Sequence, residues 1–345
     1  MPAHIHRRGI LAGCLYLLCL LSWPTVADDS TAYIALATTT DDAYQITLVD
    51  LDGETTTLAD CVDVCRHPVW SADGERLAYV DGGELVVVAI GSGDMQRLPV
   101  DMGTYDYNSR PAWQPDLSRA VFAARMDMRN VLRVADLNEG SVNTLGDLPG
   151  GANWPQWDEN ENNENTVIFA AGGVVYRTAL DNTTLTPLTP DNMRFDAPAF
   201  APDDDTLLLR RLNADNTQTL VLMHTGGDLT PLVTGVLDTP VWSPDGTMIA
   251  YNLWQDGEVS LQVIALDDPE PRTFAENALL NHTPTWSPDG AALAYLGVDG
   301  DTPAFKTLYT VPTNGSTPPE TLLPTINRTG SPADSPAWQP AQEEE

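Results

Sequence analysis

A short pattern, Pro-x-(Trp/Phe) followed by a Ser-Pro-Asp-Gly-like turn and an apolar strand, recurs seven times along the 345 residues. It stands as HPVWSADGERLAYV from His67, RPAWQPDLSRAVFAA from Arg110, WPQWDENENNENTVIFAA from Trp154 and APAFAPDDDTLLLRR from Ala197. The remaining copies are TPVWSPDGTMIAYN from Thr239, TPTWSPDGAALAYLG from Thr283 and SPAWQPAQEEE from Ser335. Successive repeat prolines, from Pro68 to Pro336, are 43, 44, 43, 42, 44 and 52 residues apart. A period in this range, made of short strands bounded by Gly, Pro, Asn and Asp, predicts an all-β propeller with one four-stranded antiparallel blade per period.

The strands of one unit can be placed from composition. In the fifth unit they fall around Pro240–Trp242, Met248–Asn252, Ser260–Ala265 and Pro271–Phe274. In the Ser-Pro-Asp-Gly step, Pro fixes φ, Asp bonds its own backbone and Gly takes the left-handed corner. Asp245 and Asp289 are therefore turn formers, not catalytic carboxylates. The aromatic two residues after each Pro is expected in the groove between neighbouring blades. At the ends, the segment around Trp338 supplies a first strand only, whereas Tyr33–Ala37, Gln45–Val49 and Thr55–Leu58 supply three strands with no first strand before them. Together they complete one blade, so the expected fold is a ring of seven closed by the C-terminal inner strand pairing with the N-terminal strands. A six-bladed ring is the alternative, because the last step is long and the third and fourth units are degenerate.

Residues 1–27 read as an export signal: His4, His6, Arg7 and Arg8 precede an apolar run from Ile10 to Leu21, and Thr25-Val26-Ala27 makes a small-residue cleavage site. Residues 28–341 are expected to form a single propeller domain and 342–345 an acidic tail. The protein is then periplasmic or extracellular; lipid anchoring at Cys14 is not expected, since most of the apolar run follows that cysteine. Losing the signal deepens the net charge from −32 to −34, because it carries two arginines and no acid. Such a charge opposes nucleic-acid binding and anionic lipid, and no other segment is apolar enough to span a bilayer. Cys61 and Cys65 remain as one pair, expected to form a disulfide.

The unit Pro-x-Trp-Ser-Pro-Asp-Gly-x-x-Ile/Leu-Ala-Tyr, nearest its full form at Thr239–Tyr251 and Thr283–Tyr295, resembles the TolB-like (WD40-like, PD40-type) β-propeller repeat. The resemblance extends over residues 31–341. It implies a propeller fold and relatives that include envelope proteins of the Tol–Pal system and the propeller halves of prolyl-oligopeptidase-like peptidases. TolB itself resembles a six-bladed ring preceded by an α/β domain, which does not fit the expected count here. The peptidases carry a Gly-x-Ser-x-Gly elbow, and no such pentapeptide occurs in this chain.

Chemistry-bearing groups are sparse. His67, His224 and His282 are the histidines beyond the signal and belong to different units. Asp158-x-Asn160-x-Asn162 imitates the start of a calcium loop, but Asn163 replaces the required Gly and Phe169 stands where the bidentate Glu belongs. No metal or cofactor is expected. In a propeller the connections leading into first strands and those joining second to third strands share one face, and nine of the fifteen cations past the signal fall there: Arg66, Arg110, Arg125, Arg129, Arg194, Arg210, Arg211, Lys306 and Arg328. Tyr105, Tyr107, Trp154, Trp254, Asp196, Asp238, His282 and Asp334 join them. An arginine and aromatic mixture on an anionic molecule suits docking of an envelope protein or peptide, or of a glycan. The expectation is a monomeric, non-catalytic binding module. The alternative is a carbohydrate-active lyase or hydrolase at the channel mouth, using Asp196, Asp238, His282 and Asp334.

Overall fold

The computed structural model describes residues 32–40, 43–100, 110–127, 129–146, 148–158, 165–180, 185–202, 206–224, 226–238, 240–279, 282–298, 305–324, 326 and 335–341. The expected signal and acidic tail lie outside them. Among the described residues there are strands and turns but no helix.

The first strands are β1 (Tyr33–Thr40), β2 (Ala43–Asp50) and β3 (Thr55–Asp60). The next group is β4 (Cys65–Trp70), β5 (Arg76–Asp81), β6 (Glu84–Ala89) and β7 (Met95–Pro99). It is followed by β8 (Ala112–Trp113), β9 (Arg119–Met126), β10 (Arg129–Asp136) and β11 (Ser141–Thr144), then by β12 (Asn153–Trp157), β13 (Thr166–Ala171), β14 (Val174–Ala179) and β15 (Leu185–Pro187). Further along come β16 (Phe195–Phe200), β17 (Thr206–Leu212), β18 (Gln218–His224) and β19 (Leu229–Leu237), and β20 (Val241–Trp242), β21 (Met248–Gln255), β22 (Glu258–Ala265) and β23 (Asp268–Ala275). The last are β24 (Thr285–Trp286), β25 (Ala292–Val298), β26 (Lys306–Pro312), β27 (Glu320–Leu323) and β28 (Ala337–Trp338).

The groups β4–β7, β8–β11, β12–β15 and β24–β27 are each an antiparallel sheet of four in chain order, β16–β19 and β20–β23 merge into one eight-stranded sheet where β19 meets β21, and β1–β3 form a sheet of four with β28. The strands expected for the fifth unit match β20–β23; the first runs one residue past β20, and the other three are shorter than β21, β22 and β23. β28 lies beside β1, with Ile34 opposite Trp338 and Ala35 opposite Ala337.

The alternation of the strands sends apolar side chains to both faces of each sheet, because every sheet is covered on both sides by its neighbours. One cluster packs Ala78, Val80, Leu85 and Val87 against Trp113, Leu117 and Phe122, joining the β4–β7 and β8–β11 groups. Another packs Ile34, Leu36 and Val49 against Ala294, Leu296 and Leu308, joining the first group to β24–β27. The repeat tryptophans sit at these seams. Trp70, Trp157, Trp242 and Trp286 donate their indole N–H to the backbone carbonyls of Ala337, Ala112, Ala199 and Val241, each in the first strand of the preceding four-strand unit.

Candidate functional site

Antiparallel pairing places the start of the first strand, the end of the second and the start of the third at one edge of each sheet. These edges form the mouth of the propeller. The residue just before each repeat proline leads the first strand into the centre, and three such residues adopt left-handed backbone: His67 (φ 54°), Trp154 (φ 55°) and Ala197 (φ 46°). The strand register slips at the same places, between Arg66 and Val69, Asn153 and Gln156, and Asp196 and Ala199. These are bulges, which bend a strand and redirect a side chain. For a residue with a side chain the left-handed region costs about 1–2 kcal/mol, so the surrounding packing must hold it. The sequence carries no sign of them, because Pro follows this position in bulged and regular units alike.

Two polar clusters converge at the mouth. The Arg110 Nη2 donates to Thr283 Oγ1 at 2.9 Å and also to Ser335 Oγ, so one guanidinium ties the approach to β8 to the approaches to β24 and β28. Nearby, Arg210 clamps Asp196 with two bonds, Nε to Oδ1 at 2.7 Å and Nη2 to Oδ2 at 3.1 Å. Its Nη1 donates to the Leu237 carbonyl at 3.2 Å, and its guanidinium lies 5.6 Å from the centre of the Trp154 ring. His67 is buried, and burial, reinforced by the charges of Arg110 and Arg66, holds its pKa well below 6.5. The imidazole is thus neutral at physiological pH. Asn252 braces the approach to β24, donating Nδ2 to the carbonyls of His282 at 2.9 Å and Leu279 at 3.1 Å.

The residues expected on this face divide by access. Arg125, Arg129, Arg194 and Trp254 are exposed, and with them Val62, Met126 and Met193, which the sequence reading omitted. Arg66 and Arg211 are half-buried, the latter donating to Asn213 at 3.3 Å and Thr219 at 3.4 Å. Four others are already engaged or buried. Arg110 is spent on the Thr283 and Ser335 hydroxyls, Asp196 is neutralised by Arg210, and Asp238 and His282 are each only 7% exposed. Lys306, counted among the surface cations, is buried in β26. Tyr105, Tyr107, Arg328 and Asp334 lie outside the described residues. Cys61 and Cys65 are bridged, and Asp81 accepts the Val62 and Asp63 amides of the enclosed loop at 3.1 and 3.0 Å.

On the opposite rim the turn carboxylates of Asp73, Asp245 and Asp289 are held below 3.8, first by the Ser71, Ser243 and Ser287 hydroxyls and further by backbone amides. Among the described residues no group of three or more His, Cys, Asp or Glu could hold a metal ion, and no helix is long and apolar enough to cross a membrane.

Four-stranded antiparallel sheets packed face to face and converging on a polar mouth define a β-propeller. Residues 25–277 match the family described as the TolB beta propeller domain, and the chain belongs to that family. Among solved structures it is similar to TolB from Acinetobacter baumannii (16% identity, TM-score 0.57), covering 90% of this chain and 67% of that one. It is also similar to an oligogalacturonate lyase in complex with manganese (14%, TM-score 0.64; 80% and 85% covered) and to oligogalacturonate lyase from Vibrio parahaemolyticus (10%, TM-score 0.64; 83% and 92%). Identities this low establish the shared fold alone. No curated protein matches the chain.

Proposed function

We propose that the protein is an exported, non-catalytic propeller that docks a protein or peptide of the bacterial envelope on its mouth face. One observation carries this: exposed Arg125, Arg129 and Arg194 alternate with exposed Val62, Met126, Met193 and Trp254 along a single rim, on a molecule whose net charge is −32. Arg, Met and aromatic side chains are the types enriched where proteins meet, and Arg suits carboxylates on the partner. A closed ring of seven blades underlies the reading. It is supported by the β28–β1 pairing, by Gln339, which accepts the Tyr33 amide at 3.2 Å and donates to the Gly74 carbonyl at 2.9 Å, and by the apolar cluster shared by the first and last groups. The Cys61–Cys65 bridge fits an oxidising compartment.

Binding is preferred to sugar cleavage at the mouth because Asp196 is committed to Arg210 and Asp238 and His282 are buried. The test is capture from envelope extract at two ionic strengths with the wild type and with Arg125→Ala/Arg129→Ala/Arg194→Ala. The triple variant should lose salt-sensitive capture at unchanged melting temperature. Equal capture by both, or turnover of acidic polysaccharide by the purified wild type, overturns the proposal.

A further inference from the structure

The face opposite the mouth holds a cavity of about 410 Å³ between the β8–β9 turn and the end of β12, lined by Gln114, Pro115, Asp116 and Arg119 on one side and Trp157 and Asp158 on the other. It lies between two of the units that break the repeat, as Ala201 and Gln339 do at the same position in two others. In the regular turns Ser71, Ser243 and Ser287 bond the following Asp, and Gly74, Gly246 and Gly290 hold φ near 68–69°. Here Gln114 replaces the serine and Leu117 takes the left-handed corner (φ 55°), its side chain sunk into the cluster below, while Asp158 replaces the serine of the next unit. Departures from a local rule that converge on one place mark function more often than accident.

The longer Gln114 side chain has a consequence for geometry. Its Oε1 accepts the Arg119 Nε at 2.8 Å, and Arg119 reaches on to Asn165 at 2.8 Å with its guanidinium 5.5 Å from the Trp157 ring centre. Arg119 thereby spans the seam between the two sheets, and its Nη2 has no partner among the described residues. Asp116 spends Oδ1 on the Ser118 amide and hydroxyl at 2.9 and 2.7 Å, and its Oδ2 likewise has none. Asp158 is matched by Arg177 at 3.0 Å. The turn itself is fixed by Gln114 N to Arg119 O, Leu117 N to Gln114 O and, from the neighbouring sheet, Ala72 N to Pro115 O.

Charges around this cavity cancel, Asp116 against Arg119, Asp158 against Arg177, and Arg76, which also acts on Asp116, against Asp73, so a charged ligand gains nothing net. What remains is one free acceptor and one free donor beside an indole and a proline ring. A hydroxyl both gives and takes a hydrogen bond, and the volume is in the range of small-ligand sites. We propose that this cavity binds a neutral saccharide unit, whose hydroxyls bridge Asp116 and Arg119 while its C–H face rests on exposed Pro115, beside the one edge of the buried Trp157 indole that reaches the cavity.

The full chain is titrated calorimetrically with maltose, cellobiose and lactose, with digalacturonate and a Gly-Asp dipeptide as charged comparators. Soluble starch distinguishes a glycan's internal units from a free sugar. Saturable binding of a neutral disaccharide is expected. It should weaken about tenfold or more in Asp116→Asn, which keeps the turn bonds but swaps the free acceptor for a donor. Asp245→Asn, the same change in a regular turn, should leave it intact. No saturable binding of any neutral sugar, tighter binding of a charged comparator, or equal loss in both variants overturns the proposal. Because the site is remote from the mouth, the capture experiment above succeeds or fails independently.

Discussion

Replacing Trp70 with Phe cuts a hydrogen bond between β4 and β28, the indole N–H to the Ala337 carbonyl at 3.0 Å. Trp113 holds the same repeat position and is buried to the same 7% exposure, yet its Nε1 has no partner. Both Trp→Phe changes delete the same atoms from a seam between sheets, so the lost contacts largely cancel when the two variants are compared. Trp70→Phe additionally loses a neutral hydrogen bond worth about 1 kcal/mol, whereas Trp113→Phe removes a donor whose burial was uncompensated, by roughly 1 kcal/mol or more. Trp113→Phe should therefore be the milder change by about 2 kcal/mol, which for a domain of this size corresponds to roughly 4 °C in Tm. Urea unfolding followed by far-UV circular dichroism measures this without relying on the altered fluorophore. Equal midpoints, or a lower one for Trp113→Phe, would refute the indole staple.

Arg110→Met should lower stability by roughly 2 kcal/mol, the scale of a charged hydrogen bond, since Thr283 and Ser335 lose a shared donor; an unchanged Tm would sink its bridging role. His67 has a folded pKa below 6.5, so the unfolded chain binds the extra proton as pH falls. Stability is then full above about 6.5 and declines below it by up to roughly 1.4 kcal/mol per pH unit until the folded pKa is reached. His67→Gln should flatten that window in thermal melts at stepped pH. The depressed Asp73, Asp245 and Asp289 carboxylates act in a separate window, since stability from them is lost only as pH falls below about 3.8. Reducing the Cys61–Cys65 bridge, which closes a loop four residues in sequence separation, should cost about 2 kcal/mol; no shift in the urea midpoint would show that the loop is held by Asp81 alone.

Most of the architecture was legible because its signals are local. Pro, Asp and Gly set each turn within four residues, and the apolar runs between turns can only be strands, so β20–β23 and β1–β3 fall where composition puts them. The mouth was legible only in outline. Which edge a loop occupies follows from strand order, but whether a side chain there is free depends on partners far along the chain. Arg110 is 173 and 225 residues from the hydroxyls that hold it, and Arg210 satisfies Asp196 from the neighbouring strand. The bulges at His67, Trp154 and Ala197 were hidden for the same reason: left-handed backbone there is stabilised by packing, not by any preference of those residues.

The repeat itself separates scaffold from site. The proline and the aromatic two positions on are kept in every copy, because each fills the same seam and turns the same corner. The position before the proline is filled in turn by His67, Arg110, Trp154, Ala197, Thr239, Thr283 and Ser335, six residue types over seven copies. A position under only the shared demands of the fold would converge on one or two residue types, as the tryptophan position does. Its failure to do so means that each copy answers to a different neighbour across the mouth, as Arg110 does to Thr283 and Ser335 and Trp154 to Arg210. The substitutions of Gln114, Leu117 and Asp158 in the opposite turns obey the same logic. In a molecule built of near-copies, specific chemistry is sought where the copies disagree, as they do at the mouth and at the cavity beside Arg119.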